Sequence, residues 1–120
     1  MKFYELAADT NLAQIGATMD GNFLQFCDAT GGVIAELGLD TPALGTPASG
    51  SVTINPTTAD TSSAAGTIGF AKIVDSSSND LYYFTVSDTT GADITVPSLV
   101  IPAGIELDMN IGTLYYNLAP

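Results

Sequence analysis

Residues 67–87 read TIGFAKIVDSSSNDLYYFTVS, two apolar runs rich in β-branched and aromatic residues around a polar connection. Thr67 to Val74 and Leu81 to Ser87 have the composition of strands, and Asp75-Ser76-Ser77-Ser78-Asn79-Asp80 has that of a turn. This is the clearest hairpin in the chain. Ile68 to Val74 is apolar on both faces near its end, as expected of a central strand.

The same alternation of short strand and turn extends in both directions. Upstream, Phe23 to Asp28 reads as a strand, Ala29-Thr30-Gly31-Gly32 as a hairpin turn, and Val33 to Leu39 as a strand with Val33, Ala35, Leu37 and Leu39 on one face. Asp40 to Ser49 reads as a loop. Ser51 to Asn55 aligns Val52 with Ile54, and the Thr/Ser/Ala-rich stretch Pro56 to Ala65 reads as a long exposed connection. Downstream, Asp88 to Ala92 is a turn leading to Ile94 and Val96, and Ser98 to Ile101 is stopped by Pro102. Ile105 to Asn110 alternates apolar and polar residues, and Gly112 to Leu118 keeps Leu114, Tyr116 and Leu118 in phase.

Short strands with turn signals every 8–12 residues or so predict an all-β fold. The expected architecture is a single β-sandwich or jelly-roll-like domain of about eight strands over residues 22–120. Residues 1–21 are set apart as an N-terminal arm or short helix. There Asp9 or Thr10 is the expected cap, Leu12, Ile15 and Met19 recur at helical spacing, and Asp20-Gly21 is the stop. No period of 20–50 residues repeats convincingly, which argues against a solenoid or propeller. The short, proline-interrupted strands argue against a transmembrane barrel.

Composition narrows the function. Apolar residues make up 46% of 120 residues and charged residues only 12%, enough apolar content for one modest core and too little charge for a disordered chain. Thirteen Asp and Glu stand against Lys2 and Lys72, with no Arg and no His, for a net charge of −11. Such a chain cannot neutralise a row of phosphates and is repelled by anionic lipid, so nucleic acid and membrane surfaces are not expected partners. Cys27 is the only cysteine, so no internal disulfide forms, and its neighbours Leu24 and Phe26 favour a small buried hydrophobe over a reactive thiol. The opening Met-Lys-Phe-Tyr-Glu lacks the apolar run of a signal peptide, so synthesis in the cytoplasm is expected.

Chemistry is scarce. Without histidine there is no histidine-based triad or relay, one cysteine cannot build a zinc site, and no glycine-rich loop has phosphate-binding spacing. The expectation is no catalytic residue, no cofactor, no metal and no small-molecule substrate. Asp75, Asn79 and Asp80 in one loop and Asp88 and Asp93 around the next offer oxygens to Ca²⁺, but Asx-turn bonding accounts for the same residues. Aromatic residues carry more information. Tyr82-Tyr83-Phe84 and Tyr115-Tyr116 put rings on both faces of their strands. Either the outward tyrosines lie flat over neighbouring strands, or a subunit or host surface covers that face. Phe3, Tyr4 and Leu6 form an apolar cluster that packs on the domain's own core or docks on a neighbouring subunit. The candidate interface is thus Phe3, Tyr4, Leu6, Tyr82, Tyr83, Tyr115 and Tyr116.

Ile34-Ala35-Glu36-Leu37, Pro42-Ala43-Leu44-Gly45, the run Gly66 to Asp75, Gly91-Ala92-Asp93 and Ile101-Pro102-Ala103-Gly104 together resemble a group of small proteins encoded by tailed bacteriophages and prophages. The resemblance spans about residues 22–118. Asn79 stands where that pattern has glycine, and Lys72 where arginine is common. The resemblance implies a structural component of the particle, on the capsid exterior or tail, and no catalytic residues. The leading expectation is a virion protein that decorates or cements the capsid exterior, assembled in the host cytoplasm, with the major capsid protein and copies of itself, as a homotrimer, for partners. The alternative is a receptor- or carbohydrate-binding module of a tail fibre, and a cellular adhesin domain comes third. A concave cluster of aromatics at the loop end favours sugar, and a flat side patch favours subunit packing.

Overall fold

The computed structural model describes residues 4–55, 63–89, 91–105 and 112–115. The described chain is mostly strands with a single helix, α1 (Glu5–Met19). The strands are β1 (Phe23–Cys27), β2 (Val33–Gly38), β3 (Ser51–Ile54), β4 (Gly66–Thr67), β5 (Phe70–Val74), β6 (Asp80–Phe84), β7 (Val86–Ser87), β8 (Ile94–Thr95), β9 (Val100–Ile101) and β10 (Gly112–Tyr115). Four of them form an antiparallel sheet in the order β2-β1-β5-β6. The others pair in twos: β10 with β3, β4 with β9, and β7 with β8, the last pair parallel.

The expected hairpin is present, with each of its strands broken once. Ile68 and Gly69 interrupt the first. The Ile68 amide donates to the Leu99 carbonyl and the Gly69 amide to that of Cys27, so the chain pairs with β9 before the break and with β1 after it. A Cβ at Gly69 would lie 2.8 Å from the Ala29 nitrogen, so only glycine permits this approach. Thr85 interrupts the second, its amide and hydroxyl both bonded to the Asp93 carboxylate. Beyond it β7 runs beside β8.

The β1–β2 and β5–β6 hairpins are built alike. Asp28 and Asp75, 47 residues apart, each follow a five-residue strand beginning with phenylalanine. In each turn one carboxylate oxygen accepts the amides two and four residues on, Thr30 and Gly32 or Ser77 and Asn79, at 2.9 Å. The fourth turn residue has positive φ, Gly31 at 95° and Ser78 at 62°. A bulge follows in the returning strand, at Ile34 and at Leu81. β1 meets β5 with Gln25 opposite Lys72 at the midpoint, so an approximate two-fold axis normal to the sheet exchanges the hairpins. The sequence hides this two-unit repeat, because Phe23/Phe70 and Asp28/Asp75 are the only identities between residues 23–37 and 70–84.

One face of the sheet is core. Leu24, Leu37, Ile73 and Tyr82 lie in one row across it, and Phe26, Ala35, Ala71 and Phe84 in the next. Leu12 and Met19 of α1, Leu44, Val52 and Ile54 of the β3 region, and Ile68, Ile94 and Ile101 join the same cluster. Two expectations need correction. Ile34 at the bulge turns inward and Val33 is exposed, so Val33 does not share the face of Ala35 and Leu37. Ser63, expected in an exposed connection, is buried; its hydroxyl donates to the Pro102 carbonyl and accepts from the Ile105 amide. All but Ile105 of the expected strand Ile105 to Asn110, and most of the Pro56 to Ala65 connection, lie outside the described residues. Among the described residues no helix is long and apolar enough to cross a membrane.

Candidate functional site

Helix α1 starts earlier than a cap at Asp9 or Thr10 implies. Tyr4 holds the capping position without a side-chain bond, while the Thr10 hydroxyl donates to the Leu6 carbonyl inside the helix. The Asp9 carboxylate instead accepts the Gly50 amide at 2.8 Å, tying the helix to the turn before β3. Ala8, Leu12, Gly16 and Met19 are buried, one stripe on the core-facing side. Tyr4 and Leu6 miss that stripe and are 73% and 82% exposed, so they do not pack on the domain's own core. Phe3 lies outside the described residues.

Beside the helix is a groove of about 410 Å³, lined by Ala13, Gly16 and Ala17 of α1, by Leu44 and Pro47 of the loop before β3, and by the polar residues Asp20, Thr46 and Asn55. Two of its polar side chains are partnered. Asp20 accepts the Ala43 amide, and the Asn55 side chain donates to the Pro42 carbonyl. No sequence signal marks this groove, because small residues on a helix and a proline-containing loop announce no chemistry.

The second candidate surface is the sheet face opposite the core. Tyr82 points to the core side and is partly buried, whereas Tyr83 points away from it and is 65% exposed. The Tyr83 ring stacks on Phe70 of the adjacent strand, centroids 5.4 Å apart and planes 22° from parallel. Val33 is exposed on the same face, and Lys72 lies between Gln25 and Tyr83. Lys72 Nζ is 2.9 Å from the Asp80 carboxylate, which holds the lysine pKa above its ordinary value, and the Gln25 amide donates to Glu36 at 2.7 Å. A shallow cleft of about 270 Å³ runs along Phe70, Lys72, Asp80, Leu81, Tyr82 and Tyr83. Phe70 was missed as a site residue; cross-strand pairing is the signal that would have found it.

The predicted residues do not converge. α1 packs on the core side of the sheet and Tyr83 faces away from it, so Tyr4 and Leu6 form one outcrop and Tyr83 with Phe70 another. Tyr115 pairs with Ser51 in β10, and Tyr116 lies outside the described residues.

Of the carboxylates weighed for calcium, Asp75, Asp80 and Asp93 are engaged by the protein itself. Asp75 is taken by the Ser77 and Asn79 amides and the Asn79 side chain, Asp80 by Lys72, and Asp93 by Thr85. Hydrogen bonds hold the Asp75 pKa below the usual carboxylate range, the Asn79 amide foremost, and that of Asp28 likewise, the Thr30 hydroxyl foremost. Among the described residues no three His, Cys, Asp or Glu side chains gather as a metal cluster. Cys27 is fully buried, and burial raises its thiol pKa above the ordinary value. Compared with protein-family models, curated proteins and solved structures, the chain matches none.

Proposed function

We propose that this protein is a virion structural protein that decorates or cements a capsid exterior through contacts with the major capsid protein and with copies of itself, and that it performs no catalysis. The observation that carries the reading is the outward aromatic pair on the side of the sheet, Tyr83 stacked on Phe70, with Val33 on the same outer face. Rings on the side of a sheet suit packing against another protein surface, where aromatics concentrate. The exposed Tyr4 and Leu6 at the start of α1 support a second contact. In this reading the four-stranded sheet is one layer of a β-sandwich and the β3–β10 pair belongs to the other, with three copies closing around a symmetry axis. The motif resemblance to tailed-phage proteins points the same way.

The test is binding to capsids that lack this chain, produced by deleting its gene from the encoding phage or prophage. Hundreds of copies per particle after co-sedimentation are expected, with binding weakened by Tyr83→Ser. Full-length protein that stays in the supernatant at every concentration refutes the reading. A sugar-binding module of a tail fibre is favoured by one feature, the cleft beside Tyr83 with the Lys72–Asp80 pair at its edge. Saturable binding of a glycan, abolished by Tyr83→Ser, is the result that selects it.

A further inference from the structure

Across the outer face of the four-stranded sheet one row of side chains runs Glu36, Gln25, Lys72, Tyr83, one from each of β2, β1, β5 and β6. In hydrogen-bonding terms the row reads acceptor, acceptor, donor, donor. The Glu36 carboxylate only accepts, and takes more than one donor. Gln25 has given its amide to Glu36, which leaves its carbonyl oxygen as an acceptor. Lys72 has spent one of its three donors on Asp80, and the Tyr83 hydroxyl donates at the far end. Such a row, turned end for end and laid on itself, meets every acceptor with a donor. We propose that this face is an interface between two copies of the chain, packed face to face about a two-fold axis that runs parallel to the strands between β1 and β5.

Charge and register select both the second copy and the axis. This axis sets Lys72 over the other copy's Gln25 and Tyr83 over its Glu36, and two-fold symmetry makes each contact twice. Long side chains close the gap of about 10 Å between packed sheets. A two-fold axis laid along the row instead sets Lys72 on Lys72 and Glu36 on Glu36, which repels. The apolar residues on either side of the row obey the same turn. Phe23 is paired with Val74 and Phe70 with Cys27 across the centre of the sheet, so reversal lays the half-buried ring of Phe23 over Val74 and that of Phe70 over Cys27. Asp80, the remaining charge in register on this face, falls over Gly38 and keeps its bond to Lys72. Each copy carries −11, so association tightens as salt screens the repulsion.

The inference names the partner of the outer face and rests on the reading of that face as a packing surface, not on the capsid. Its test therefore uses the purified full chain alone. Sedimentation velocity at rising concentration is expected to show a dimer, strengthened by about 0.5 M salt. Gln25→Lys sets a cation over Lys72 of the other copy, and Lys72→Glu sets a carboxylate among its Gln25 and Glu36. Each is expected to weaken association by about tenfold or more. The double variant Q25K/K72E sets Lys over Glu at both places and is expected to restore the dimer, a coupling that an axis along the row reverses. Tyr83→Ser, at an exposed position on the edge strand, is expected to weaken association without loading the central strands. Circular dichroism and a cooperative urea transition confirm that the variants fold. A chain monomeric at all concentrations and salts overturns the proposal. So does a double variant weaker than both singles, or an oligomer indifferent to Q25K and Y83S. A dimer with these responses that fails to bind capsids supports the inference and refutes the virion reading alone.

Discussion

Replacing Leu24 with alanine removes three carbon atoms from the centre of the core. Leu24 has no exposed surface, and in register it lies between Leu37 on β2 and Ile73 on β5. At about 0.8 kcal/mol for each methylene-sized group, the lost transfer energy is roughly 2.4 kcal/mol. β1 is hydrogen-bonded on both sides and cannot collapse into the gap, so a cavity adds about 1 kcal/mol. The expected loss is about 3–4 kcal/mol, a large part of the roughly 5–15 kcal/mol that stabilises a domain of this size. It corresponds to a fall in melting temperature of about 12–16 °C. Urea titration followed by far-ultraviolet circular dichroism measures it, with an unchanged slope as the check on two-state behaviour. Gln25→Ala, one residue on and on the opposite face, is the control, with an expected loss of about 1 kcal/mol for its bond to Glu36. A Leu24→Ala loss below about 1 kcal/mol, or equal losses at both positions, would refute the assignment of faces.

Gly69→Ala places a methyl 2.8 Å from the Ala29 nitrogen, and relief of that backbone clash is expected to cost about 1–3 kcal/mol in the same titration. Asp28 and Asp75 are held below their ordinary pKa values, so their contribution is present above the unfolded carboxylate range and is lost as pH falls through the folded values. The double variant Asp28→Asn, Asp75→Asn is therefore expected to flatten the fall in urea midpoint below about pH 4; an unaltered acid limb counts against the turn geometry. The Cys27 thiol, buried and raised in pKa, is expected to resist a disulfide reagent at neutral pH until urea opens the core, and prompt labelling of the folded protein contradicts that burial.

Strands and turns were readable where local chemistry decides them. The alternation of Val52 and Ile54, the Asp75 to Asp80 turn and the Asp20-Gly21 stop need only their own residues. Changes of partner were not readable. Nothing in Thr67 to Val74 says that pairing passes from β9 to β1 at Gly69, because the reason is a backbone approach from Ala29, forty residues earlier. The bulge at Ile34 escaped notice for a related cause: alternation counted from Val33 assumes unbroken pairing, and one extra residue reverses the face. The helix began early because no side chain announces its start; burial of Ala8 and Leu12 holds it instead. Of the candidate site, Tyr83 was visible as one of adjacent aromatics that put rings on both faces of a strand, and Leu6 as part of the apolar cluster with Phe3 and Tyr4. The groove was invisible, since it consists of side chains too small to leave a pattern.

The two-fold kinship of the hairpins has a consequence for chains crowded together during synthesis. Strands β1 and β5 are interchangeable in shape, so each can in principle line up with its own counterpart in a neighbouring molecule instead of with its proper mate. The midpoint residues treat the two mistakes differently. A β1–β1 mispairing sets Gln25 against Gln25, which costs little, whereas a β5–β5 mispairing sets Lys72 against Lys72 and repels. The native union of unlike strands avoids that repulsion and leaves Lys72 free to reach Asp80 in its own hairpin. In a chain with only two cations, one stands at the midpoint of β5, where it disfavours pairing of that strand with its own counterpart.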